Sequence, residues 1–122
     1  HLRFDVDIKW LMKFDNFDKM KFLNRALTNR DKRWEETSVW YISYIEKFYF
    51  DKQFNLLYDR WNKSGCKPYM KPSLDHITPK AKGGTNALDN LQFLTWFENR
   101  CKNDMSQEDW DEMKSNILEY FV

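Results

Sequence analysis

Two cysteines, three glycines, three prolines and two histidines are all that the 122 residues hold of these types, and each scarcity excludes something. Cys66 and Cys101 form no Cys-x-x-Cys pair and have no second histidine nearby, which argues against a structural zinc site and predicts reduced thiols. So few glycines and prolines exclude collagen-like and low-complexity architectures. No apolar run approaches membrane-spanning length, and the start lacks the charged and apolar regions of a signal peptide. An intracellular, cytoplasmic protein with no membrane partner is therefore expected. The chain opens at His1 rather than Met; His1, read as a fragment end or tag remnant, receives no chemical role. That leaves His76 as the one informative histidine.

An excess of one charge is also missing. Twenty basic and nineteen acidic side chains give a formal charge of +1, so overall charge makes no case for nucleic-acid binding. The distribution says more. From Lys63 to Lys82 the charged residues are Lys63, Lys67, Lys71, Lys80 and Lys82 against Asp75 alone, with Arg100 and Lys102 following. Beyond Asn103 the tail is acidic, so a nucleic-acid face, if there is one, belongs to the middle third. What the chain does have is aromatic side chains: six Trp, six Tyr and ten Phe. They predict a packed, mainly helical protein of one domain over 1–122, with one modest core.

Within it, 1–65 reads as a helical lead-in. Phe17, Met20, Leu23, Ala26 and Leu27 recur at helical spacing and predict a helix from Phe17 to about Trp34. The stretch from Val39 to Tyr49 is compatible with helix or strand, helix being preferred. Asp51 is placed to cap a third helix through Trp61, and Gly65 to end it in a left-handed conformation. Arg33-Trp34 and Arg60-Trp61 are read as core packing rather than as a stacking platform for bases.

After Gly65, Pro68, Pro72 and Pro79 break helix, and Ser73 to Ile77 suits a strand. A turn-rich loop over Lys82–Asn86 follows. Helical spacing then runs from Leu91 to about Lys102, its packing face carrying Leu94, Phe97 and Cys101 and its other face Thr95, Asn99 and Lys102. Ser106 with Asp109 resembles a capping box opening a last helix through Phe121. The expected class is α+β, mostly α, with a chemistry-bearing segment at 66–105 and a C-terminal helix at 106–122.

That segment reads LDHITPKAKGGTNALDNLQFLTWFENRCKND from Leu74 to Asp104, and it resembles the HNH, or ββα-metal, endonuclease family. In that family an Asp-His pair ends a first strand, a Gly-containing loop leads to a short second strand and an Asn, and a helix supplies a last His or Asn. Asp75-His76, Asn90 and Asn99 match these stations, and Lys102 matches a Lys often found one turn later. The spacing is similar to that of the HNH domain in RNA-guided CRISPR nucleases, and the compact final helix resembles phage or mobile-element members. About a quarter of the chain is covered. Tyr69 stands where zinc-stabilised members carry the second Cys of a pair begun at Cys66, a departure against that version.

The resemblance implies metal-dependent hydrolysis of DNA phosphodiester bonds, and the residue chemistry suits it. An imidazole can take a proton from an attacking water, which makes His76 the candidate general base. Asp75 and Asn99 offer hard oxygen ligands, which favours Mg2+, then Mn2+, over Zn2+ or Ni2+. Asn90 reads as a loop tether that holds His76 in place. Lys102 is the candidate for phosphate or leaving-group stabilisation. Lys71, Lys80, Lys82 and Arg100 flank the site as candidate DNA phosphate contacts.

Asp75 and His76 point to opposite faces of a regular strand, so both serve one site only if the strand ends or bulges there. Taken singly, each residue has a plain structural alternative. The competing readings are a catalytically inactive nucleic-acid-binding module retaining the fold, and a toxin-type nuclease with an immunity partner. Monomer and homodimer both remain open, the first suited to nicking and the second to cutting both strands.

Overall fold

The computed structural model describes residues 12–30 and 38–121, with side chains at 29–30, 38–42 and 120–121 left aside. Among the described residues the helices and strands are α1 (Phe17–Arg30), α2 (Ser38–Tyr49), α3 (Lys52–Lys63), β1 (Pro72–His76), β2 (Leu91–Thr95), α4 (Trp96–Lys102) and α5 (Gln107–Phe121). Single 3-10 turns stand at Pro68–Met70, Lys80–Lys82 and Leu88–Asn90. The class is α+β, mostly α. Among the described residues no helix is long and apolar enough to cross a membrane.

The chain divides into two compact units, His1–Leu56 and Leu57–Val122. The division falls inside α3. In the first unit α1 packs on α2. Leu23, Leu27, Ile45, Phe48 and Phe54 are essentially inaccessible to solvent, burial worth about 1.5–3 kcal/mol for each such side chain. Helical spacing foretold Met20, Leu23 and Leu27 on the inner face, whereas Phe17 is exposed. Residues 31–37, including Arg33-Trp34 and the expected end of α1, lie outside the described residues. Val39–Tyr49 takes the helical alternative. Asp51 caps α3, its Oδ2 accepting from the Phe54 amide at 2.9 Å, and Gly65 stands just beyond the helix at φ 83°.

In the second unit β1 pairs antiparallel with β2, in a register that sets Pro72 opposite Thr95, Leu74 opposite Phe93, Asp75 opposite Gln92 and His76 opposite Leu91. Leu74, Leu91, Phe93, Leu94 and Trp110 are buried. Tyr58 and Trp61 meet edge to face, 6.0 Å between ring centroids. The expected helix from Leu91 is corrected: Leu91–Thr95 is strand, and helix begins only at Trp96. Short apolar runs carry no unambiguous period, and the ladder offered by β1 decides this one. Thr95 then starts α4, its side-chain oxygen accepting from the Glu98 amide at 3.0 Å. Ser106 caps α5 likewise, accepting from the Asp109 amide at 3.2 Å.

Candidate functional site

A two-stranded sheet leaves an open edge on each side, where outward carbonyls need donors. On β1 the polar residues of α4 supply them. Asn99 Nδ2 donates to Leu74 O at 3.1 Å and to Ser73 Oγ at 2.8 Å. Lys102 Nζ donates to His76 O at 2.8 Å and to Ile77 O at 3.2 Å. The expected orientation of α4 is thereby reversed. Asn99 and Lys102 turn toward β1, while Phe97, expected to pack, is exposed.

Lys102 makes its third contact to Asp75 Oδ2 at 2.8 Å, and neither side chain is more than 5 % accessible. Its three N–H groups match three acceptors, so the role expected for it at a phosphate gives way to a structural one. An unpaired ammonium or carboxylate would be costly here. From the paired strand, Gln92 Nε2 donates to the same Asp75 oxygen at 2.9 Å and, with its other proton, to Gln107 Oε1 of α5 at 2.8 Å.

Both donors to Asp75 use Oδ2. Its Oδ1 accepts no hydrogen bond from a described residue and is not sealed from solvent. Asn99 is similar: its amide nitrogen is held by β1, and its Oδ1 accepts no hydrogen bond from a described residue. Two oxygens on neighbouring elements, one carboxylate and one amide, are thus fixed by their partner atoms and themselves uncommitted. These donors fit a hard divalent cation that keeps several waters. Among the described residues no three His, Cys, Asp or Glu side chains group as a metal site; an Asp with an Asn amide is a different composition.

His76 is the last residue of β1 and half-buried. Its Nε2 lies 2.6 Å from Asn86 Oδ1. An amide oxygen only accepts, so Nε2 is the donor in this contact, which leaves Nδ1 as the ring nitrogen not engaged by Asn86. The loop that brings Asn86 to the ring is itself pinned. Ile77 N bonds Asn90 O at 2.8 Å, continuing the ladder past His76. Asn90 Oδ1 accepts from Thr78 N at 2.8 Å, and its Nδ2 donates to Thr78 O at 3.1 Å and Thr85 O at 2.7 Å. Gly83 takes a left-handed φ of 88°. Gly84 lies so close to Thr78 that a Cβ would run into the Thr78 carbonyl.

Of the expected phosphate contacts, Lys71, Lys80, Lys82 and Arg100 are all exposed. Arg100 lies over the Trp96 ring, 4.9 Å from its centroid. Cys66 is exposed and Cys101 half-buried, both free. Ser73, Asn86, Gln92 and Gln107 were missed from the sequence. Gln92 had one available signal: in a hairpin whose first strand ends at Asp-His, the residue two after Asn90 faces that Asp across the ladder.

Compared with protein-family models, curated proteins and solved structures, the chain matches none.

Proposed function

We propose that this chain is a metal-dependent endonuclease of the HNH type that hydrolyses DNA phosphodiester bonds, with Mg2+ or Mn2+ held by Asp75 and Asn99. The observation that carries the reading is the pair of uncommitted oxygens, Asp75 Oδ1 and Asn99 Oδ1, whose neighbouring atoms are tied down. When bound, a divalent cation would supply electrostatic stabilisation of charge developing on the phosphate. His76 Nδ1 takes a proton as water attacks phosphorus; the new P–O bond forms as the bond to the leaving sugar oxygen breaks, and that oxygen takes a proton from solvent water to leave as a hydroxyl. Asn86 holds the ring through Nε2 and leaves Nδ1 for the substrate side, and Asn90 anchors the loop bearing Asn86. Lys102 and Gln92 orient Asp75. The exposure of Lys71, Lys80 and Lys82 supports a role for them at DNA phosphates.

The second reading is a non-catalytic nucleic-acid-binding module, and the burial of Asp75 against Lys102 favours it. One experiment separates the two. Supercoiled plasmid incubated with the full chain and Mg2+ should be nicked or linearised, EDTA should stop the reaction, and Mn2+ should restore it. Plasmid left intact in both metals would reject the catalytic reading.

A further inference from the structure

The face that α4 turns away from β1 is aromatic and cationic. Trp96 is 43 % exposed and Phe97 58 %, and the Arg100 guanidinium covers the Trp96 ring. Beside α4 lies the Pro68–Met70 turn, tied to it by a 2.8 Å bond from Trp96 N to Lys71 O. The turn presents Tyr69, 50 % exposed, between the exposed Lys67 and Lys71. Glu98 is the one acid on either element, and it is engaged with Thr95 and Lys114.

We propose that Trp96, with Arg100 and Tyr69, forms a stacking platform for an unpaired DNA base next to the bond to be cut. The substrate would then be a single strand, flap or fork rather than uninterrupted duplex. This deepens the nuclease reading and rests on it for the identity of the nucleic acid.

Exposed ring faces bind bases by stacking, and within a duplex those faces are already covered by neighbouring pairs. Arginine over indole strengthens such a platform through its planar charge. Lysine decides between partners. Trp, Tyr and Arg are also common in protein interfaces, but Lys is depleted there, whereas Lys67 and Lys71 bracket Tyr69 and suit a phosphate backbone. Trp96 precedes Asn99 by three residues, about 4.5 Å along the helix axis, but leaves α4 on the outward face, so a stacked base would lie beside the candidate site rather than in it.

The test is fluorescence anisotropy of the full chain carrying His76→Ala, in EDTA, with a labelled single-stranded oligonucleotide and with the matching duplex. Adding Trp96→Ala should weaken single-strand binding roughly tenfold or more, with the duplex changed less than twofold and Trp96→Phe retaining most of the affinity. Tyr69→Ala, on an exposed turn, should show the same selectivity and serves if Trp96→Ala unfolds. Equal losses on both DNAs, no loss on either, or no DNA binding would overturn the platform. So would a concentration-dependent dimer abolished by Trp96→Ala, which would assign the face to a second copy of the chain. Cleavage by the wild-type chain is scored separately. Cutting without single-strand selectivity rejects the platform and keeps the nuclease, and selectivity without cutting does the reverse.

Discussion

Lys102 Nζ sits 2.8 Å from Asp75 Oδ2, the lysine fully buried and the aspartate nearly so. The pair closes β1 onto α4, and it divides Asp75 into an oxygen that is held and an oxygen that is presented. It also leaves the candidate site with little net negative charge, which predicts weak metal binding and a requirement for about millimolar Mg2+.

Removing the ammonium while keeping the carboxylate should be severe. Lys102→Met is expected to destabilise the protein by about 3–5 kcal/mol, because Asp75 is left as an uncompensated buried charge. The double variant with Asp75→Asn should recover part of that loss. Urea denaturation of the three variants checks it; an additive double variant would mean that the two side chains do not act as a pair.

Gln92 touches Asp75 but has no place in the proposed chemistry, so its loss should appear in metal dependence. Gln92→Leu should raise the Mg2+ concentration for half-maximal cleavage several-fold, with the rate at saturating Mg2+ changed less, since only the positioning of Asp75 is disturbed. Titrations of cleavage against Mg2+ for wild type, Gln92→Leu and Gln92→Glu would show it. An unchanged half-maximum would remove Gln92 from the account.

Gly83 and Gly84 are adjacent but required for different reasons, and substitutions should separate them. Gly84→Ala drives a methyl group into the Thr78 carbonyl, at a cost of about 1–3 kcal/mol if the loop must shift, and should lower cleavage by moving Asn86 from His76. Gly83→Asn keeps a residue that tolerates the left-handed conformation in a place with open space, and should be nearly neutral. Thermal denaturation and cleavage rates compare them; a neutral Gly84→Ala would contradict the described approach.

Much of this architecture was legible in local signals. Asp51, Gly65 and Ser106 marked helix ends because capping and left-handed termination depend on single residues. Met20, Leu23 and Leu27 marked an inner face through the 3.6-residue period. The strand at Leu91–Thr95 escaped because its pairing with β1 is a non-local fact. The rotation of α4 escaped for a related reason. A polar stripe of Thr95, Asn99 and Lys102 reads as a solvent face until the open edge of β1 and the Asp75 carboxylate are seen to need donors. Asn86 and Gln92 gained their places only once the loop and the ladder register were known.

The central claim is that His76 acts as the base of a phosphodiester hydrolysis, and one comparison tests it most directly. Wild type and His76→Ala are incubated with supercoiled plasmid in Mg2+, with circular dichroism confirming equal folding. Loss of the base should reduce cleavage by about 100-fold or more, with DNA binding retained. Cleavage by His76→Ala at the wild-type rate would contradict the account.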